Sequence, residues 1–209
     1  MSYFPFFVDL EDKNGLIVGG GTVALRKIEK LLPYGPKLTA VSPEFRKEIQ
    51  EIPDVTLLRT GFEADMLEGQ YFVIAATDDR SLNHRVSRLC RERNILVNVV
   101  DDKEACSFIF PSLVKKGKLS VGISTQGASP TGAIRVKEEL NRWIPDNFDE
   151  ILEFLERTRP GVKEQIPGER RRAEVFSRMF ERCMEEGRSL TETELLELME
   201  EVTERGGQS

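Results

Sequence analysis

A short apolar strand running into three consecutive glycines and then into a helix constrains this chain more than any other stretch. It reads Asn14-Gly15-Leu16-Ile17-Val18-Gly19-Gly20-Gly21-Thr22-Val23-Ala24. Gly19 permits a tight turn without a Cβ clash, Gly21 lets the backbone come close to a pyrophosphate, and Ala24 is small enough for close helix–strand packing. Together they form a G-x-G-x-x-A dinucleotide pattern. A helix starting near Thr22 would aim its unpaired N–H groups and the positive end of its dipole at the phosphates. A glycine run after a strand can also be a plain turn, so the flanking elements decide between the two readings.

Those elements follow a regular order. Val23, Leu25, Ile28, Leu31 and Leu32 recur at near-helical spacing, and Pro33-Tyr34-Gly35-Pro36 stops the helix. Strands are predicted at Lys37–Val41 and Val55–Arg59, with a short helix from Phe45 to Ile52 between them. The sequence from Gln70 to Ala76 is an almost unbroken apolar run, as expected of a parallel strand buried on both faces, and it ends in Thr77-Asp78-Asp79. A helix from Ser81 to Arg93 and a strand from Ile95 to Val100 follow, and that strand ends in Asp101 and Asp102. Ligands in such sheets sit at the carboxyl ends of the strands, so the Thr77-Asp78 tip is expected across a crevice from the glycine turn. The pattern predicts an α/β fold with a Rossmann-type doubly wound parallel sheet. The apolar opening Tyr3 to Leu10 reads as an extended segment packed on the sheet edge.

After Cys106 the alternation stops. Phe108 to Val114 and Leu119 to Ser124 flank a lysine-rich turn and read as a hairpin whose edge could pair with a second copy of itself. Ser129-Pro130 begins a helix running to about Trp143, with Ser129 a candidate N-cap. Beyond Pro145 the chain reads as helix throughout: Asn147 to Arg157, Glu169 to Glu185, and Thr191 to Glu204. The last opens with the capping pattern Thr191-x-x-Glu194.

Composition narrows the partners. With 30 basic and 36 acidic residues in 209, the net charge of −6 argues against general nucleic-acid binding. No apolar run reaches membrane-spanning length, and Met1 to Leu10 lacks the basic start of a secretory signal, so a cytoplasmic protein is expected. Cys90, Cys106 and Cys183 are scattered, and His84 is the lone histidine, so no metal site is predicted.

Taken together, these residues resemble the precorrin-2 dehydrogenase/sirohydrochlorin ferrochelatase family, the stand-alone form of the front part of siroheme synthase. The resemblance rests on the aromatic lead Tyr3 to Leu10, Val18-Gly19-Gly20-Gly21-x-Val23-Ala24-x-Arg26-Lys27, and Ala75-Ala76-Thr77-Asp78-Asp79 with Asn83. It continues through Asn98-Val99-Val100-Asp101, Phe108-x-x-Pro111, Ser124-x-x-Gly127-x-Ser129-Pro130 and Gly168-Glu169-Arg170-Arg171-Arg172. The last is followed here by Ala173 and Glu174, where the family often has aromatic residues.

The resemblance implies an NAD-binding Rossmann domain over 1–112, a dimerisation region over 113–144 and a helical domain over 145–209. It implies Asp101 as the catalytic base, and Gly19, Gly20, Gly21, Thr22, Val23, Ser42, Thr77 and Asp78 as the NAD site. Ser124, Ser129, Arg170 and Arg171 are implied as contacts to a tetrapyrrole carrying eight carboxylates. The implied reaction is oxidation of precorrin-2 to sirohydrochlorin by NAD, with ferrous iron insertion as a possible second activity of a homodimer. A dehydrogenase without chelatase activity and an NAD-sensing regulatory domain are the alternatives. Ser42 stands at the end of the second strand, where an acid usually holds the ribose 2′-OH, so the loop alone does not establish NAD over NADP.

Overall fold

The computed structural model describes residues 3–205, which fall into two compact units divided between Phe110 and Pro111. In the first unit, β1 (Asn14–Val18), β2 (Lys37–Val41), β3 (Val55–Leu58), β4 (Phe72–Ala75) and β5 (Leu96–Val99) form one sheet. Its strand order is β3-β2-β1-β4-β5 and every pairing is parallel. The order reverses direction between β1 and β4, which makes the end of β1 the switch point where such folds bind ligands.

Burial follows the sequence pattern. Every residue of β4 is buried, as is all of β1 after Asn14. Alternate side chains serve opposite faces. Ile17 and Ile74 pack with Ala24, Ile28 and Leu31 of α1 (Thr22–Leu31). Val18, Val73, Ala75, Val97 and Val99 pack with Val86 and Cys90 of α3 (Arg80–Glu92). Between them in sequence, the short α2 (Lys47–Gln50) contributes Ile49 to the α1 side.

The second unit begins with an antiparallel hairpin, β6 (Ser112–Lys116) and β7 (Leu119–Ile123). Helices α4 (Pro130–Trp143), α5 (Phe148–Gln165), α6 (Glu169–Glu186) and α7 (Glu192–Arg205) follow. Val114, Ile144 and Phe148 form one small core with side chains of the hairpin, and Ile151, Phe154, Met179, Cys183 and Leu198 centre a larger one among α5, α6 and α7. Ser129 caps α4 by accepting the Gly132 N–H at 3.0 Å. The α7 capping box forms in both directions, Glu194 N–H to Thr191 Oγ1 at 3.3 Å and Thr191 N–H to Glu194 Oε2 at 2.7 Å.

Two expectations are corrected. The segment from Phe4 to Val8 does not pack on the sheet edge: Phe4, Phe6 and Phe7 are 75%, 78% and 80% exposed. Of the opening from Tyr3 to Leu10, Leu10 packs against the core. Helix α5 runs eight residues beyond the expected end and passes through Pro160. A proline there removes one intrahelical hydrogen bond. Burial of Val162 and Ile166 in the larger core holds the last turn in place.

Candidate functional site

The strand ends line up. Through the pairings, Val41, Val18, Ala75 and Val99 lie side by side across the sheet. The residues that follow them, Ser42, Gly19, Ala76-Thr77 and Val100-Asp101, therefore share one edge. At ordinary strand spacing Asp101 stands about 10 Å from the glycine strand.

The glycine turn has the shape that the sequence pattern predicts. Gly19 has φ +128°, and a Cβ there would lie 2.4 Å from the carbonyl oxygen of Ala76. A Cβ on Gly20 would lie 2.1 Å from the carbonyl oxygen of Glu44, so this position is closed by protein on the β2 side. At Gly21 a Cβ would meet nothing within 4 Å. Helix α1 begins immediately after it with no side-chain cap and no acid in its first turn. Open space, bare N–H groups and the positive helix end together fit a pyrophosphate. Thr22 and Val23 are exposed beside this space.

The β4 tip is held by a residue that the strand pattern did not single out for a role. Asn83, buried on α3, donates from Nδ2 to the Thr77 carbonyl at 2.8 Å. Its Oδ1 accepts the Thr77 N–H at 3.3 Å and lies 2.8 Å from Thr77 Oγ1. Asp79 caps α3 through the Leu82 N–H at 3.1 Å. Asp78 and Asp79 are both exposed at the tip, while Thr77 is half-buried with its hydroxyl engaged. A buried asparagine on an amphipathic helix was the available signal for this clamp.

The two acids after β5 have different surroundings. Asp102 is committed: one carboxylate oxygen accepts the Ala105 N–H at 3.1 Å, and the other lies 3.0 Å from His84 Nε2 and 3.8 Å from Arg80. Asp101 is exposed, in a left-handed conformation with φ +58° that aspartate tolerates. It lines an open cleft of about 630 Å³ that runs along α3, with Arg80, His84, Arg88 and Lys103 among the other lining residues. His84 thus stands against Asp102 at the surface of this cleft.

Lys27 of α1 is a further member. Its Nζ donates to Asn98 Oδ1 at 3.4 Å and sits 3.8 Å from the centre of the Phe110 ring. Asn98 in turn donates to the Phe108 carbonyl at 3.0 Å. Burial lowers the Lys27 ammonium to about 8, Lys30 adds repulsion, and Cys106 and Asp101 pull the other way. The folded state thus releases a proton that the unfolded chain holds up to 10.5. Between these values the unfolded state binds more protons, so stability rises with pH across that window. In urea titrations, wild type should gain stability relative to Lys27→Met between pH 8 and 10. The gain should be of order 1 kcal/mol once the solvent-exposed part of the side chain is discounted. Parallel curves for the two proteins would contradict it.

The other predicted positions lie in the second unit. Ser124 accepts the Gln126 N–H at 3.1 Å, Ser129 caps α4, and Arg170 and Arg171 stand in the first turn of α6. The lysine turn of the hairpin is engaged locally: Lys116 donates to the Ile144 carbonyl at 2.9 Å, and Lys118 pairs with Glu156.

Residues 6–112 match the NAD_binding_7 family, whose description is "Putative NAD(P)-binding". The chain belongs to this family. Among curated relatives of this family member, siroheme synthase of Actinobacillus pleuropneumoniae serotype 3 (strain JL03) is 36% identical over 207 residues. Siroheme synthase of Photorhabdus laumondii is 38% identical over 183 residues. These alignments cover 98% and 86% of this chain but 42% and 39% of the relatives, so the chain spans about two fifths of their length. A solved structure, SirC, a precorrin-2 dehydrogenase, matches with a TM-score of 0.73 at 25% identity, covering 97% of this chain and all of that one. No helix among the described residues is long and apolar enough to cross a membrane.

Proposed function

We propose that this chain oxidises precorrin-2 to sirohydrochlorin with a nicotinamide dinucleotide as oxidant. The observation that carries this reading is Asp101, an exposed carboxylate on the same strand-end edge as the dinucleotide cradle. End-to-end likeness to the precorrin-2 dehydrogenase SirC supports the choice of substrate.

The bound dinucleotide would supply the hydride acceptor. The residues of this chain do the rest. Gly19 to Gly21 and the start of α1 hold the pyrophosphate, and the Asn83-clamped tip bounds the crevice. Asp101 takes the proton that leaves the macrocycle as the hydride departs, so the substrate loses one hydride and one proton in all. Ser124, Ser129, Arg170 and Arg171 are proposed substrate contacts. The arginines stand at the positive end of α6, an unfavourable place for cations that anionic carboxylates would relieve.

A second copy of the chain is proposed against α4, where Val136 and Trp143, seven residues apart on one face, are 48% and 61% exposed. Insertion of ferrous iron into the product is a separate proposal, with iron as substrate, and needs its own assay against spontaneous chelation.

The purified chain mixed with precorrin-2 and NAD+ should form NADH and sirohydrochlorin in equal amounts, followed by absorbance, and sediment as a dimer. Tight dinucleotide binding without turnover would favour a sensor instead.

A further inference from the structure

A run of polar side chains joins the cradle helix to the strand that carries Asp101. The buried residues of α1 pack with Ile17 of β1 and Ile74 of β4. Lys27 of the same helix reaches on to β5, where its Nζ donates to Asn98 Oδ1 and stands over the Phe110 ring. An ammonium leaves water for such a place at a cost, and the contacts it makes there are stronger than they would be at an exposed surface.

From Asn98 the contacts continue into the turn. The Asn98 amide faces the segment that follows Asp101: Nδ2 donates to the Phe108 carbonyl at 3.0 Å and lies 3.5 Å from Cys106 Sγ. Cys106 is buried, and burial pushes its thiol above the usual range, so the thiol keeps its proton and can donate. The sulfur accepts the Val99 N–H at 3.1 Å. It lies 3.2 Å from the Val99 carbonyl and 3.1 Å from the Asp102 carbonyl, one of which takes the S–H. Asp101 is thereby bracketed: the residue two before it and the residue after it both meet Cys106, and its own backbone sits between them at φ +58°.

The reaction as proposed gives no task to Lys27 or Cys106. We infer that Lys27 is a positioning residue for Asp101, acting through Asn98 and Cys106 to fix the turn of the acid against the helix that opens the dinucleotide cradle. The pyrophosphate end of α1 and the proton acceptor are thus held in one frame. The inference rests on the reading of Asp101 as the base.

Two measurements on the full chain test it. Hydrogen exchange, which needs no substrate, should show the backbone amides of Val99 to Ala105 exchanging about tenfold faster in Lys27→Met, with those of β1 and β4 unchanged, because the contact is lost at the turn and not in the sheet. Lys27→Arg keeps the charge and the donor and should exchange like wild type. With precorrin-2 and NAD+, Lys27→Met should lower kcat by about tenfold and leave KM for both substrates within about twofold, as a misplaced proton acceptor would. Lys27→Arg should recover most of the rate. The deciding variant combines Lys27→Met with Asp101→Asn and should be no slower than Asp101→Asn alone, since a residue that acts through the base has nothing left to place.

Unchanged exchange in Lys27→Met overturns the inference, and so does quickened exchange throughout the sheet, which would make Lys27 a plain contributor to stability. A rate loss in the double variant equal to the product of the two single losses overturns it as well. If Asp101→Asn itself turns over at the wild-type rate, the base reading falls and the inference falls with it. If that variant is slow and Lys27→Met is not, only the inference falls. Local quickening of exchange in a chain that oxidises no precorrin-2 would support the setting of the turn and remove the proposed reaction alone.

Discussion

Replacing Asp101 with asparagine is expected to lower the rate of precorrin-2 oxidation by a factor of about 10² to 10⁴, the usual worth of a positioned general base. Dinucleotide affinity should stay near the wild-type value. The amide keeps the size of the side chain and tolerates the left-handed backbone at φ +58°, so the turn survives and only proton acceptance is lost. Asp102→Asn is the contrasting variant. Asp102 accepts the Ala105 N–H and pairs with His84, so its loss should loosen the turn and depress activity less steeply, with a measurable fall in melting temperature. Steady-state rates with precorrin-2, alongside melting curves for both proteins, separate these roles. If Asp101→Asn turns over at the wild-type rate, the proton goes elsewhere.

The glycine turn supplies the second large effect, and its two sides should behave oppositely. Gly19→Ala places a methyl group 2.4 Å from the Ala76 carbonyl at a φ of +128°, so backbone must move and a strained conformation must be kept. The cost should be about 3 kcal/mol or more, a fall of about 10 °C in melting temperature. Gly21→Ala points a methyl group into open space and should leave the melting temperature of the free protein within about 2 °C. Its effect should appear on adding dinucleotide, as a loss of affinity of about tenfold or more, because the space it fills is the space where the backbone meets the pyrophosphate. A Gly21→Ala protein that binds dinucleotide normally would show that the ligand does not approach there.

Much of this arrangement is legible in the sequence because it depends on neighbours along the chain. The apolar run ending at Ala76, the Ser129-Pro130 helix start and the Thr191/Glu194 box all fall where local chemistry places them. The parallel order was readable too, since helices between strands leave few other topologies. The Lys27–Asn98 contact joins residues 71 apart, and no local pattern announces it. The exposure of Phe4, Phe6 and Phe7 was equally hidden, since burial depends on what covers a side chain and not on the side chain alone. Arg46 belongs with these: its sequence position gives no reason to connect it with Thr22, and only the return of the loop after β2 to Gly20 makes that connection.

The Asn83 clamp has a consequence for how such a protein ages. A single amide both accepts from and donates to Thr77, so the strand tip has one setting, fixed by the nitrogen as much as by the oxygen. Spontaneous hydrolysis of that amide to a carboxylate would change almost nothing in volume, yet it would leave the Thr77 carbonyl without its donor and place a charge in a buried pocket. Chemical wear at this one side chain would unset the crevice while the sheet behind it still stood.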